Sequence, residues 1–106
     1  MLFHVGMTVR VPRDLDASTV ARLQADEHER ATGLQREGKW LHLWRVVGLY
    51  ANVSIFQVNS ADELHAILTS LPLYPFMDVT ITALCRHPGA LDPAPGGPGG
   101  GQRASG

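Results

Sequence analysis

The chain has 106 residues, of which 44% are hydrophobic and 18% are charged, and these values are typical of one globular domain. Its net charge of −1 and its lack of a basic cluster argue against a nucleic-acid-binding protein. It has no apolar run of about 18 residues that would span a membrane, and its single cysteine cannot form an internal disulfide, which favours the reducing cytoplasm.

The first two predicted elements are a strand and a long helix. Apolar and polar residues alternate over residues 2–10, which predicts a half-buried strand. Apolar residues recur at helical spacing over residues 17–37, which predicts a helix that Gly38 ends. The apolar stripe of this helix is narrow and consists of Val20, Leu23, Ala31 and Leu34.

Glu27 falls at the centre of that stripe, one turn from Leu23 and one turn from Ala31. In one interpretation its side chain turns aside to solvent or pairs with Arg30. In the other it is a buried carboxylate, whose removal from water disfavours the charged form and raises its pKa. A carboxylate with a pKa nearer neutrality is a competent general base.

A β-hairpin is predicted next, because residues 40–47 and 50–58 are rich in β-branched and aromatic side chains. Gly48 and Leu49 between them suit a two-residue type II′ turn. This turn fixes which side chains share the face that the helices cover. The predicted pairs on that face are Val47 with Tyr50, Arg45 with Asn52, Leu43 with Ser54, and Leu41 with Phe56.

The last predicted elements are a helix and a strand. Ser60 and Glu63 match a capping box before an apolar helical stripe, and a strand follows over residues 77–85. The order β-α-β-β-α-β predicts an α+β, ferredoxin-like fold, in which two helices cover one face of a four-stranded antiparallel sheet. Residues 1–87 form the predicted domain, and residues 88–106 form a Gly/Pro-rich flexible tail.

The second sheet face is predicted to remain open. It carries Trp40, His42 and Trp44 from the hairpin, and an open face this apolar indicates a partner subunit. The sequence therefore predicts a homo-oligomer.

Four side chains are predicted to meet between the long helix and the sheet. Glu27 is the candidate base, and Arg45 has the fork geometry that clamps a carboxylate, although it could instead pair with Glu27 itself. Tyr50 and Asn52 can donate hydrogen bonds to an oxygen that becomes negative during a reaction, or can simply satisfy backbone groups.

No metal or nucleotide site is predicted. The five histidines have no metal-ligand spacing, and no glycine-rich phosphate loop lies within the predicted domain. Cys85 has no predicted activator, so a small buried hydrophobe is its expected role.

The chain resembles the muconolactone Δ-isomerase family over about residues 1–90. The matching segments are residues 1–5, 25–27, 34–38, 40, 42–45, 50–52, 71–73, 75, 77–78 and 85–88. The resemblance implies a ferredoxin-like homodecamer that needs no metal or organic cofactor. It also implies conversion of (S)-muconolactone into 3-oxoadipate enol-lactone, within the β-ketoadipate branch of catechol breakdown.

The chemistry that the resemblance implies fits the four side chains, and we assign roles to them on that basis. Glu27 becomes the base, Tyr50 and Asn52 stabilise or orient the lactone, and Arg45 holds the acetate arm. Three alternatives remain open: a chloromuconolactone dehalogenase on the same scaffold, a non-catalytic oligomer that binds a small ligand, and a cofactor-free monooxygenase on a similar fold, which would take up oxygen.

Overall fold

The computed structural model describes residues 1–91. Within this range no helix is long and apolar enough to cross a membrane. Most of the predicted tail, residues 92–106, lies outside the described residues, and in its first part the Ala90 N–H donates to the His87 carbonyl oxygen at 3.0 Å. The elements follow the order β1 (Leu2–Val9), α1 (Ala17–Arg36), β2 (Trp40–Arg45), β3 (Ala51–Gln57), α2 (Ala61–Thr69), a 3₁₀ turn (Tyr74–Phe76) and β4 (Met77–Leu84).

The strands form one antiparallel sheet in the order β2-β3-β1-β4. The buried side chains of central β1 all point to one face of this sheet, because side chains alternate along a strand. Both helices pack against that face, which confirms the α+β ferredoxin-like fold. The shared core consists of Phe3, Val5, Met7, Ala31, Leu34, Trp40, Phe56, Val58, Leu64, Ile67, Leu68 and Leu71.

Each helix has an end signal that the sequence encodes. After α1, the Gly38 N–H donates to the Gln35 carbonyl and the Lys39 N–H donates to the Leu34 carbonyl, both at 3.0 Å. These two bonds form a Schellman motif, with Gly38 at a φ of 77°. The helix therefore ends where the glycine predicts.

The capping box of α2 differs in one bond from its standard form. The Ser60 hydroxyl accepts the Glu63 N–H at 3.1 Å, as predicted. The Glu63 carboxylate reaches back to the Asn59 N–H at 2.7 Å, one residue before the cap. One N–H in the first turn of this helix and one N–H just before its cap are therefore satisfied by side chains.

The predicted hairpin register is correct for residues 43–45 against residues 52–54, and it is wrong at the start of β2. Arg45 pairs with Asn52 as predicted, but Phe56 pairs with Trp40 rather than with Leu41, because a β-bulge lies between residues 40 and 42. The extra residue reverses which face the strand presents before the bulge. Trp40 is therefore only 2% exposed in the core, rather than on the open face, and Leu41 is 43% exposed.

The hairpin turn also begins one residue earlier than predicted. The Leu49 N–H donates to the Val46 carbonyl oxygen at 3.1 Å, so the turn comprises residues 46–49. Gly48 occupies its third position with a φ of 83°, the positive angle of a type II turn, rather than the second position of a type II′ turn. Val47 and Tyr50 consequently lie in the loop and do not pair within the strands.

The open sheet face carries His42 and Trp44, which stack with ring centroids 5.0 Å apart. Trp44 is 56% exposed, so a large aromatic surface is unburied in the single chain. Cys85, expected to be buried, is exposed just after β4 ends, because the edge strand has no neighbour there to cover it.

Candidate active site

A cavity of about 280 Å³ lies between α1 and the β2–β3 end of the sheet. We call it the helix–sheet cavity. It is lined by all four side chains that the sequence brings together, from two separate parts of the fold: Glu27 from α1, and Arg45, Tyr50 and Asn52 from the hairpin. Its walls are completed by apolar groups that include Ala31, Leu43, Leu73 and Met77.

Glu27 is half-buried in the wall of this cavity. The backbone N–H of Leu73, which precedes the 3₁₀ turn, donates to its Oε1 at 2.9 Å. Burial raises the pKa of the Glu27 carboxyl, and the hydrogen bond from Leu73 offsets part of that rise. The carboxylate is thus held in a fixed direction and made more basic than an exposed glutamate.

The alternative ion-pair partners of Glu27 are engaged elsewhere. Across residues 1–91, the ion pairs within 4.0 Å are Arg10 with Asp78 and Lys39 with Glu63. Arg30 instead donates to the Ser70 hydroxyl at 3.2 Å. Glu27 therefore has no salt bridge within the described part of the chain, and its charge is not neutralised by an adjacent cation.

Arg45 lies on the hairpin side of the cavity with its guanidinium 5.5 Å above the centre of the Tyr50 ring. This contact is a cation–π interaction. Its Nη1 donates to the Leu49 carbonyl oxygen at 3.4 Å. Because a guanidinium has five N–H donors, most of them remain available to a carboxylate ligand.

Tyr50 and Asn52 are each oriented by a neighbouring side chain. The Tyr50 hydroxyl oxygen accepts a hydrogen bond from Nε2 of Gln24 at 3.1 Å, which leaves its own proton available to a ligand. The Asn52 Oδ1 accepts from the Ser54 hydroxyl at 2.8 Å. Within residues 1–91, its Nδ2 contacts only the weakly accepting sulfur of Met7, at 3.7 Å, so a ligand oxygen would be a better acceptor.

The sequence reasoning placed neither Gln24 nor Trp40 in this site, although both line the cavity. Gln24 precedes Glu27 by three residues and so lies on the same side of α1, a spacing from which it could have been found. Trp40 lines the cavity because the β-bulge turns it inward. No local sequence signal marks that bulge.

The side chains suit a small anion with an acidic C–H bond. One basic carboxylate stands opposite several N–H and O–H donors, and apolar groups fill the spaces between them. In residues 1–91, no group of three or more His, Cys, Asp or Glu side chains is placed to hold a metal ion. The available chemistry is proton transfer with hydrogen-bond stabilisation of a developing negative oxygen.

Comparison with known proteins gives one consistent result. The family model for muconolactone Δ-isomerase matches residues 1–90. The muconolactone Δ-isomerase of Pseudomonas aeruginosa is 55% identical over 91 residues, which are 86% of this chain and 95% of that protein. Muconolactone Δ-isomerase 2 of Acinetobacter lwoffii is 54% identical with the same coverage. A crystal structure of muconolactone isomerase, 53% identical, superposes with a TM-score of 0.83 over 87% of this chain and 96% of that one.

Proposed function

This chain belongs to the muconolactone Δ-isomerase family, and we propose that it converts (S)-muconolactone into 3-oxoadipate enol-lactone with Glu27 as its single base. Family membership makes it an isomerase. The observation that carries the residue assignment is the half-buried Glu27 carboxylate, which has a raised pKa and faces Arg45, Tyr50 and Asn52 across one cavity.

The proposed reaction moves a double bond within a five-membered lactone. The Glu27 carboxylate removes the proton from the ring carbon that bears the acetate arm. The electron pair spreads through the ring double bond onto the lactone carbonyl oxygen, giving a dienolate. Glu27 then returns the proton to the carbon beside the carbonyl. The transfers balance on one carboxyl group if both occur at the same ring face.

The other three side chains act on the negative charges of the substrate. Tyr50 and Asn52 donate to the carbonyl oxygen as it becomes negative, and one such donor contributes about 10²–10³-fold to the rate. Arg45 holds the acetate carboxylate through its guanidinium fork. Support comes from the orientation of Tyr50 by Gln24 and of Asn52 by Ser54.

The dehalogenase and the non-catalytic oligomer are less well supported. The relatives reported above carry the isomerase name, and a basic carboxylate beside oxyanion donors has no purpose in a passive binding module. Comparing turnover of plain and chlorinated muconolactone by ultraviolet absorbance separates the two enzyme activities. The purely binding protein would leave both lactones unchanged.

We also propose a homo-oligomer, a decamer by family resemblance, that works in the cytoplasm without a cofactor. A second copy covering the stacked His42 and Trp44 would bury the exposed aromatic surface. The proposed catalytic unit is residues 1–87. The family match, which ends at residue 90, supports this boundary. The exposed, unpaired Cys85 suits a reducing compartment.

Glu27→Gln tests the central assignment. The amide keeps the shape and can still accept from the Leu73 N–H, but it is not basic. We expect kcat to fall by about 10²–10⁴-fold, the usual contribution of general base catalysis. Glu29→Gln, on the exposed side of α1, is the matched control and should keep wild-type turnover. A Glu27→Gln enzyme with near-native kcat would remove this residue from the role of base.

A further inference from the structure

One residue that lines the helix–sheet cavity has a buried polar atom without a partner among residues 1–91. The indole Nε1 of Trp40 is buried and has no hydrogen-bond acceptor among the described residues. Trp40 itself is 2% exposed, and its ring packs against Phe56 at 4.7 Å between centroids. A buried indole N–H normally finds an acceptor, so this orphan requires an explanation.

The position of Trp40 narrows the possible acceptors. Trp40 lines the same cavity as Glu27, Tyr50 and Asn52. Its N–H has almost no surface that a water-sized group can reach, even from the cavity. A group that enters the cavity therefore becomes its acceptor when the indole ring turns slightly toward it. The indole nitrogen can only donate. Ionised muconolactone is complementary, because its ring oxygen, carbonyl oxygen and acetate carboxylate are all acceptors.

We propose that the Trp40 N–H donates to the carbonyl oxygen of the bound lactone, as a third donor beside Tyr50 and Asn52. This inference rests on the proposed function for its ligand. The β-bulge of β2 then has a functional consequence, because without it the indole would face the opposite side of the sheet. The unpaired donor of the free protein is the mark of a site arranged for its ligand.

Kinetics of Trp40→Phe give the first test. Phenylalanine retains an aromatic ring against Phe56 and removes only the N–H and part of the ring system. We expect kcat to fall by about ten-fold or more, since the carbonyl oxygen gains charge in the transition state. The matched control is Trp44→Phe, the other tryptophan of the chain, whose side chain is exposed on the opposite face. That variant should keep wild-type kcat.

A spectroscopic test separates hydrogen bonding from packing. The ¹⁵N-labelled chain has two indole N–H signals, which the two phenylalanine variants assign. We add 5-oxotetrahydrofuran-2-acetate, a saturated analogue that keeps every acceptor but cannot isomerise, at concentrations that inhibit turnover. The Trp40 proton signal should move downfield and the Trp44 signal should not. A purely structural tryptophan would not produce this shift.

Each outcome decides the inference. The inference is overturned if the Trp40 signal stays in place while the analogue inhibits. It is also overturned if that signal already lies in the hydrogen-bonded range without ligand. If the analogue does not inhibit, a folded Trp40→Phe enzyme with native kcat overturns it. If Trp40→Phe does not fold, the wild-type signal decides. Failure of the proposed function is distinct, because wild-type protein would then leave muconolactone unchanged.

Discussion

At the scale of single residues, Glu27 is a compromise between stability and chemistry. Burial raises the pKa of its carboxyl, whereas the Leu73 N–H favours the charged form. The net rise means that at neutral pH the fold holds a charge in a position that prefers a neutral group. An enzyme that needs a base there must accept that cost.

This cost predicts how stability depends on pH. A carboxyl group whose pKa is raised in the folded state contributes stability that is fully present below its unfolded-state pKa. That contribution is lost as pH rises through the folded-state pKa. Glu27→Gln is neutral throughout. The stability of Glu27→Gln relative to wild type should therefore be higher at pH 7 than at pH 4. The lower pH lies below the ordinary glutamate pKa of 4.5.

Urea midpoints of both proteins at the two pH values, at one protein concentration, measure this. Glu29→Gln controls for the loss of one surface charge. A Glu27→Gln protein that gains no relative stability between pH 4 and pH 7 would contradict the raised pKa.

Arg45 makes a different prediction, because in the proposed mechanism it holds a part of the substrate that does not react. Removing an interaction that is equal in ground state and transition state raises KM and leaves kcat nearly unchanged. Arg45→Ala should raise KM about ten-fold, the value of one charge-assisted contact. Arg45→Lys keeps the charge but loses the fork, so an intermediate KM is expected. An unchanged KM in steady-state assays would reassign the acetate clamp.

The sequence predicted Glu27 and not Gln24 for a physical reason. A charged side chain in an apolar stripe conflicts with its surroundings and is therefore visible in the pattern. A glutamine beside the stripe conflicts with nothing. Its role arises only from its hydrogen bond to Tyr50, a residue 26 positions later in the chain.

At the scale of elements, the β2–β3 hairpin shows where pattern reading stops. Near the turn, Arg45 and Asn52 pair as predicted. At residues 40 and 41 the sequence offers two apolar side chains in succession, Trp40 and Leu41, and either could fill the core. The bulge buries the larger one against Phe56. Such a choice depends on packing across the sheet, which alternation alone does not contain.

Two glycines near the end of α1 should respond in opposite directions to alanine. Gly38 has a φ of 77°, where a side chain costs about 1–2 kcal/mol, so Gly38→Ala should destabilise by that amount. Gly33 lies inside the helix with open space where a Cβ would be, so Gly33→Ala should stabilise by about 0.5–1 kcal/mol. Urea unfolding of the pair checks both signs. A Gly38→Ala variant as stable as wild type would mean that the Schellman motif is not needed.

At the scale of the whole molecule, the element order could be predicted because each element carries its own signal. Periodicity gives the strands and helices, and Gly38, Ser60 and Glu63 give the helix ends. Most of the helix-covered face followed from these signals, including Arg45, Asn52 and Ser54. The composition of the open face did not, because one bulge moved one of its two predicted tryptophans, Trp40, into the core.

The prediction that the open face binds a second copy of the chain can be tested at Trp44. Trp44→Asp places a charge in the middle of the open face, and burying it against a second copy would be strongly unfavourable. We expect the variant to elute at a smaller size than wild type in size-exclusion chromatography with light scattering. Trp44→Phe keeps an apolar ring and should elute with wild type. Native-size elution of Trp44→Asp would show that this face is not an interface.

The extra residue of β2 has a consequence for protein engineering. A hairpin grafted with a perfectly regular ladder would keep the amino acids of the pocket. Its indole, however, would lie on the opposite face of the sheet. Templates for new lactone-processing catalysts should therefore copy the irregularity together with the side chains.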